Sequence, residues 1–247
     1  MATSGSINWA LNRDDVIKLA LRRIGAIGEG ETPTSNSVTD AAVSLNALVK
    51  EYEAEGMPLW KLTLFSITPT ATNSFTIGVG QTVNRYPPRR IHQMFYRNTS
   101  TLIDTPINMI TRDEYMRMSN KSTLGVPTMA WYNPPGNQGG ASQENSGVLT
   151  TYLGCDASFV ANHTLQCVGE FQFEDFDAAT DYPDFPSYFN NALAWGLAAD
   201  LCYDYGVAET RTAQIAKRAE KAKFNALMNS YELGSLFIQP SYNYSNG

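Results

Sequence analysis

The chain has 247 residues and a mass of 27.2 kDa, with 43% apolar and 17% charged residues, enough for one sizeable core or two small ones. Its 18 Lys and Arg against 24 Asp and Glu give a net charge of -6, and the distribution is uneven: from Ser122 to Thr210 there is no Lys or Arg but eleven carboxylates. That 89-residue segment carries -11 and the remainder +5, whereas a protein built to grip nucleic acid has a basic balance, so tight phosphate binding is disfavoured.

No apolar run approaches the ~20 residues of a membrane span. Met1 to Ser6 is small and polar, without a basic n-region or an apolar h-region, so the expectation is a soluble chain with no membrane association and no secretion signal. Cys155, Cys167 and Cys202 are an odd number at wide spacing, which suits reduced thiols better than a disulfide framework.

The first strong period follows Asn12, an N-cap residue, with Asp14 and Asp15 in the first turn, where the helix dipole favours them. Val16, Ile17, Ala20, Leu21 and Ile24 then share one face, while Lys18, Arg22 and Arg23 point elsewhere, as in an amphipathic helix. Gly25 and Gly28 end it. A second helix is expected to start at Ser37 as its cap, with Val38, Ala41, Ala42, Leu45, Leu48, Val49 and Tyr52 as its apolar set, and to close at Gly56 and Pro58,.

After Trp60 the pattern changes to short Thr-, Val-, Ile-, Phe- and Tyr-rich runs. Residues 62–67, 74–77, 90–96, 129–132, 148–153, 164–168 and 171–173 read as strands, and Thr111 to Met118 as a turn or two of helix. Roughly seven short strands predict an antiparallel sandwich or barrel, with Asn133 to Gly147, rich in Gly and Pro, as a hairpin tip or loop.

Helical grammar returns after Pro183-Asp184-Phe185-Pro186. Ala192, Leu193, Trp195, Leu197, Ala198, Leu201, Cys202 and Tyr205 are apolar on almost every side of a helix that ends at Gly206, so this helix is expected to be central. The last helix, about Thr210 to Ser230, alternates Ile215, Ala219, Ala222, Leu227 and Met228 with Arg and Lys. The fold class expected is α+β: a four-helix bundle from the two chain termini, residues 1–60 and 183–232, with a central antiparallel sandwich or barrel-like insertion at 61–182 and an extended docking tail at 233–247.

Catalytic chemistry finds little support. His92 and His163 are the only histidines, there is no G-x-S-x-G, and Gly78-Val79-Gly80 lacks the third glycine of a dinucleotide loop,. Cys155, His163 and Cys167 have a C-x7-H-x3-C spacing, but zinc sites have a tighter first pair, and Cys167 alternates within a strand as a small buried residue does. The carboxylates Glu170, Glu174, Asp175, Asp177, Asp181 and Asp184 lack the glycine and terminal glutamate of an EF-hand and read as a solvated acidic surface. No catalytic residue, metal or cofactor is therefore expected. The alternative function is a hydrolase or carbohydrate-active enzyme that uses the acidic cluster from Glu170 to Asp184.

Basic residues cluster elsewhere. Arg85, Arg89, Arg90, Arg97, Arg112, Arg117 and Lys121 stand against only Asp104, Asp113 and Glu114, with Tyr86, Phe95 and Tyr96 between them. This is either a nucleic-acid strip or one half of a subunit interface whose other half is the cation-free segment. The interface is preferred, because a free-standing binder of nucleic acid would not carry so much acid.

The terminal segments carry a resemblance. Residues 14–25, Asp14-Asp15-Val16-Ile17-Lys18-Leu19-Ala20-Leu21-Arg22-Arg23-Ile24-Gly25, then 40–52 ending in Gly56, the run 181–189 followed by Ala192 to Ala199 and Tyr205-Gly206, and Ala219-Glu220-Lys221-Ala222 together resemble the head-to-tail adaptor proteins of tailed bacteriophages, also called head completion, connector or tail tubular A proteins. The resemblance covers about half the chain, at both ends, and lies in the order of the motifs.

It implies a structural virion protein of the tail or neck, assembled in the host cytoplasm as a homo-oligomeric ring, commonly a dodecamer, between the portal protein and the tail nozzle or other tail proteins. DNA would pass through its channel without specific binding. The tail residues Leu236, Phe237, Ile238, Gln239, Pro240, Tyr242 and Tyr244 are the expected portal-docking segment. Part of the acidic surface between Asp156 and Glu209 is expected to face the ring lumen or a neighbour's arginines.

Overall fold

A computed structural model describes residues 9–55, 61–136 and 146–229. Six helices and ten strands follow in the order α1 (Arg13–Ile24), α2 (Ser35–Glu55), β1 (Leu62–Ile67), β2 (Ser74–Gly78), β3 (Val83–Asn84), β4 (Arg90–Asn98), β5 (Asp104–Met109), α3 (Arg112–Arg117), β6 (Leu124–Gly125), β7 (Met129–Asn133), β8 (Gly147–Thr151), β9 (Gly154–Cys155), α4 (Ala157–Asn162), β10 (His163–Glu170), α5 (Asn190–Asp204) and α6 (Glu209–Met228), with one 3-10 turn at Ser187–Phe189.

Local chemistry accounts for the helix ends. Asn12 accepts from the Asp15 amide while the Asp15 carboxylate accepts from the Asn12 amide, a reciprocal cap that satisfies two otherwise orphaned donors. Gly25 closes α1 in the left-handed region at φ 80°, where a residue without Cβ is not strained. Helix α2 starts two residues before the expected Ser37: Thr34 is the capping side chain, and its hydroxyl accepts from the Ser37 amide at 3.2 Å.

The expected four-helix bundle with an antiparallel insertion is corrected. The largest element is a sheet of eight strands in the order β1-β10-β4-β5-β7-β8-β2-β3, curled into a nearly closed barrel. The sheet is mixed: β5 with β7 and β2 with β3 run parallel. Helices α3 and α4 belong to this part of the chain. The helices from the termini form a layer in which α1, α2 and α6 each pack on α5, while α6 meets α1 and α2 through polar contacts such as Arg211 to the Arg23 carbonyl and Lys223 to Glu55. The reason lies in the apolar faces. Helix α5 buries residues around most of its circumference and exposes Asn191, Asp200, Tyr203 and Asp204, whereas α6 buries only Ile215, Ala219 and Ala226 and leaves Phe224 and Met228 exposed, so α5 is a hub rather than one of four equivalent helices.

Two apolar cores result. One joins α1, α2, α5 and α6 with Phe173 and Phe176. The other lies inside the sheet, where alternation along the strands turns Phe65 and Ile67, Phe75 and Ile77, and Leu165 and Cys167 inward. Cross-strand register places Phe65 opposite Cys167 and Ile67 opposite Leu165.

The segment between β10 and α5 is not the strand expected at 171–173. It is an irregular strap: Phe171 packs on the sheet core and Phe173 on the helical core. Side chains of α2 satisfy its backbone. Asn46 Nδ2 donates to the Phe176 carbonyl, Asn46 Oδ1 accepts from the Phe176 amide, and Lys50 Nζ donates to the Phe173 carbonyl. With these partners supplied, the strap needs no ladder.

Helices α2 and α5 pack tightly at Gly196, where an added Cβ would lie 2.7 Å from Tyr52 Oη and 2.9 Å from Leu48 Cδ2. Overpacking such a contact costs about 1–3 kcal/mol. Gly196→Ala is therefore expected to lower unfolding stability by that amount, read as a reduced urea midpoint at constant m-value. An unchanged midpoint would show that α2 and α5 do not meet as described.

Candidate functional site

Charge is densest where the strap crosses from the sheet to the helical layer. Glu170, at the end of β10, is 3% exposed and lies within hydrogen-bond distance of His92 Nε2 at 2.7 Å, with Arg89 Nη1 4.0 Å away. Antiparallel pairing of β10 with β4 places Glu170 opposite Arg90 and so beside His92 on the next strand. Arg89 also donates to the Glu53 carbonyl at 2.9 Å, tying the sheet to the C-terminal end of α2.

The remaining strap carboxylates are spread along this joint. Asp175 pairs with Lys50 at 2.8 Å, and Asp184 pairs with Lys61. Burial holds the Lys61 ammonium below its ordinary pKa, with Glu174 and Glu53 pulling it back up. Asp181 accepts from the amides of Asp177 and Ala178, and its carbonyl receives the Arg13 amide, which docks the start of α1. Arg13 Nη1 also reaches the Asp177 carbonyl. Glu174 and Asp177 project into solvent. The cluster that reads as one acidic surface in the sequence is thus largely a clasp, and the cations it holds come from the same chain.

A shallow polar cavity of about 260 Å³ opens at this joint, lined by Lys50, Glu53, Ala54, Arg89 and Gln172. Ligand pockets are generally about 300–1,000 Å³ and mostly apolar, so its size and lining suit water or a polar side chain better than an organic substrate.

The arginines of the basic strip are dispersed. Arg85 follows β3 and sets its guanidinium against the edge-to-face pair Phe65 and Phe171, 4.2 and 4.4 Å from their centroids. Burial lowers its pKa. Arg90 and Arg97 stand near opposite ends of β4, seven residues and so about 24 Å apart,. Arg97 makes a bidentate pair with Asp104 across the β4–β5 hairpin, both contacts at 2.6 Å. On α3, Arg117 pairs with Asp113 at 2.7 Å and Arg112 lies 6.0 Å from the Trp131 ring centroid. Arg85 and Arg89 hold the joint, and Arg90, Arg112 and Arg117 are exposed.

The residues expected to dock a portal, Leu236, Phe237, Ile238, Gln239, Pro240, Tyr242 and Tyr244, lie outside the described residues, as does most of the Asn133–Gly147 loop. His163 caps α4 and begins β10, stacking on Phe159 at 4.7 Å. No group of three or more His, Cys, Asp or Glu among the described residues is arranged to hold a metal ion. Pairing of His92 with Glu170 was not foreseen from sequence, because it depends on the β4–β10 register and its bulge at Val168/Gly169.

Compared with known proteins, the chain matches no protein-family model and no curated sequence.

Two outcomes follow. Burial pushes the Cys155 thiol up to about 11 and Cys167 up to about 12, and raises Cys202 as well. The thiolate is the reactive form, so at pH 8 all three are expected to resist a disulfide-exchange reagent until the protein is unfolded. Rapid labelling of the native protein would contradict their burial. Arg85→Ala removes both stacking contacts and is expected to cost about 2 kcal/mol, read in the same urea titration.

Proposed function

We propose that the protein is a structural adaptor that assembles as a ring between the capsid portal and the tail of a bacteriophage. One observation carries the reading. The segments of the resemblance, 14–25 and 40–52 near one end and 181–199 and 219–222 near the other, are far apart in sequence yet pack on one another around α5. The intervening chain forms the sheet, which serves as the tail-facing or ring-stabilising part.

Charge supports the same reading. The cation-free segment leaves Glu174, Asp177 and Glu209 exposed, and carboxylate walls repel DNA phosphates, so that a duplex slides past them. The ring is a dodecamer, its C-terminal residues 236–244 dock the portal, and the opposite end receives the nozzle or another tail protein. Aromatic and aliphatic side chains such as Phe237, Ile238 and Tyr242 are the types that dominate interface energetics.

Size-exclusion chromatography with light scattering, with and without purified portal, is the test. A ring mass on the portal is expected. Truncation after Gly234 is expected to weaken portal binding at least about thirtyfold. Portal affinity unchanged by truncation would remove the docking assignment, and a chain that stays monomeric with portal present would remove the adaptor reading itself.

A further inference from the structure

Helix α5 separates two clusters of like charge, and neither is neutralised within the described chain. On one side, Trp195 is flanked by two guanidinium groups, with Arg23 Cζ 4.1 Å and Arg218 Cζ 5.3 Å from the ring centroid. Arg23 Nη2 donates to Asn191 Oδ1 at 2.9 Å, while Nη1 is buried without a hydrogen-bond partner among the described residues. A third guanidinium, Arg211, donates to the Arg23 carbonyl at 3.1 Å, at the end of α1 where the helix dipole favours a cation. No carboxylate among the described residues lies within ion-pair distance of these three arginines. Burial and the charge of Arg218 lower the Arg23 pKa to about 10, a sign that the site lacks an anion.

The other side is the reverse. At 3.6 residues per turn, Asp200 and Asp204 lie about 140° and 180° around α5 from Trp195. They stand toward α2, where Glu51 adds a third carboxylate; burial, Glu51 and Asp204, in that order, raise the Asp200 pKa. None of the three forms an ion pair among the described residues. The nearby ammonium of Lys223 is committed to Glu55 and lies 4.8 Å from the Tyr52 ring.

Two unlike faces on opposite sides of one helix cannot meet within a single copy, but they meet between copies. We propose that the helical layer carries a head-to-tail self-contact in which the Arg23–Trp195–Arg218 face of one copy receives the Glu51–Asp200–Asp204 face of the next. With Arg211 counted beside Arg23 and Arg218, three cations face three carboxylates. An aromatic ring clamped by arginines is the kind of anchor that concentrates interface energy, and desolvating the pair against carboxylates gives the buried Arg23 Nη1 an acceptor. Joining unlike faces leaves one of each free at the ends, so the contact propagates until the rotation closes a ring. This inference rests on the ring reading and gives it an interface separate from the Arg85–Arg117 strip.

Sedimentation velocity of the full chain at low ionic strength, with and without portal, tests it through three variants: Arg218→Glu, Asp204→Lys and the two combined. Both positions are exposed, and matching melting curves verify folding. Each single variant is expected to weaken self-association at least about tenfold. The combined variant restores it, and so does an equal mixture of the two single variants, because every contact in an alternating ring is again between opposite charges. Wild-type behaviour in both single variants overturns the interface, as does failure of the mixture and of the combined variant to recover. Either result leaves the ring reading standing if the wild type still assembles. A wild type that is monomeric throughout removes both.

Discussion

An α-helix with apolar side chains on every face has no orientation in which it meets water comfortably, and α5 is such a helix. Ala192, Leu193, Ala194, Leu197 and Ala198 are fully buried, and Leu201 and Cys202 nearly so. Burial of each large side chain is worth about 1.5–3 kcal/mol, so the surroundings must cover the apolar part of α5 from several sides, while Asp200, Tyr203 and Asp204 near its end stay exposed. Helices α1 and α2 come from one end of the chain, α6 from the other, and the strap supplies Phe173 and Phe176. The close approach at Gly196 and the polar ties of Asn46 and Lys50 to the strap follow from this demand.

Electrostatics is organised around the same enclosure. Where the strap leaves the sheet, Glu170, Asp175 and Asp184 take up Arg89, His92, Lys50 and Lys61, so much of the acid there holds the helical layer to the sheet. Partly buried pairs like these are costly to break singly, because the remaining charge is left desolvated. In the helical layer a second set of charges is segregated across α5, arginines by Trp195 and carboxylates by Glu51. Such segregation is unfavourable within an isolated copy, and the self-contact proposed above would offset it.

Much of the secondary structure was legible in the sequence because it depends on neighbouring residues. The period of Val16, Ile17, Ala20, Leu21 and Ile24 located α1, the cap at Asn12 set its start, and alternation located β1, β2, β4, β7 and β10. Misses have physical causes. Strand β5 contains Pro106 and is polar at Asp104 and Asn108, so its strand character comes from pairing with β4 and β7. Phe171-Gln172-Phe173 alternates like a strand, but its two aromatics enter different cores. The bundle expectation followed from counting helices at the termini; the narrow apolar stripe of α6 was visible, yet its consequence depended on how completely α5 is covered by α1, α2 and the strap.

Sequence by itself determined the local elements, the centrality of α5, the exclusion of a long apolar span and the cation-free character of residues 122–210, since each depends on composition or on short-range period. Tertiary structure alone decided which carboxylates meet which cations. Glu170 reaches His92 through a strand register across 78 residues, Lys50 reaches Asp175 across 125, and Arg85 finds Phe65 and Phe171 only because the barrel brings its edges together. Linear charge patterning records how much charge a segment carries. Its use, as clasp, channel wall or contact face, is set by which side chains folding leaves within a few ångströms of one another.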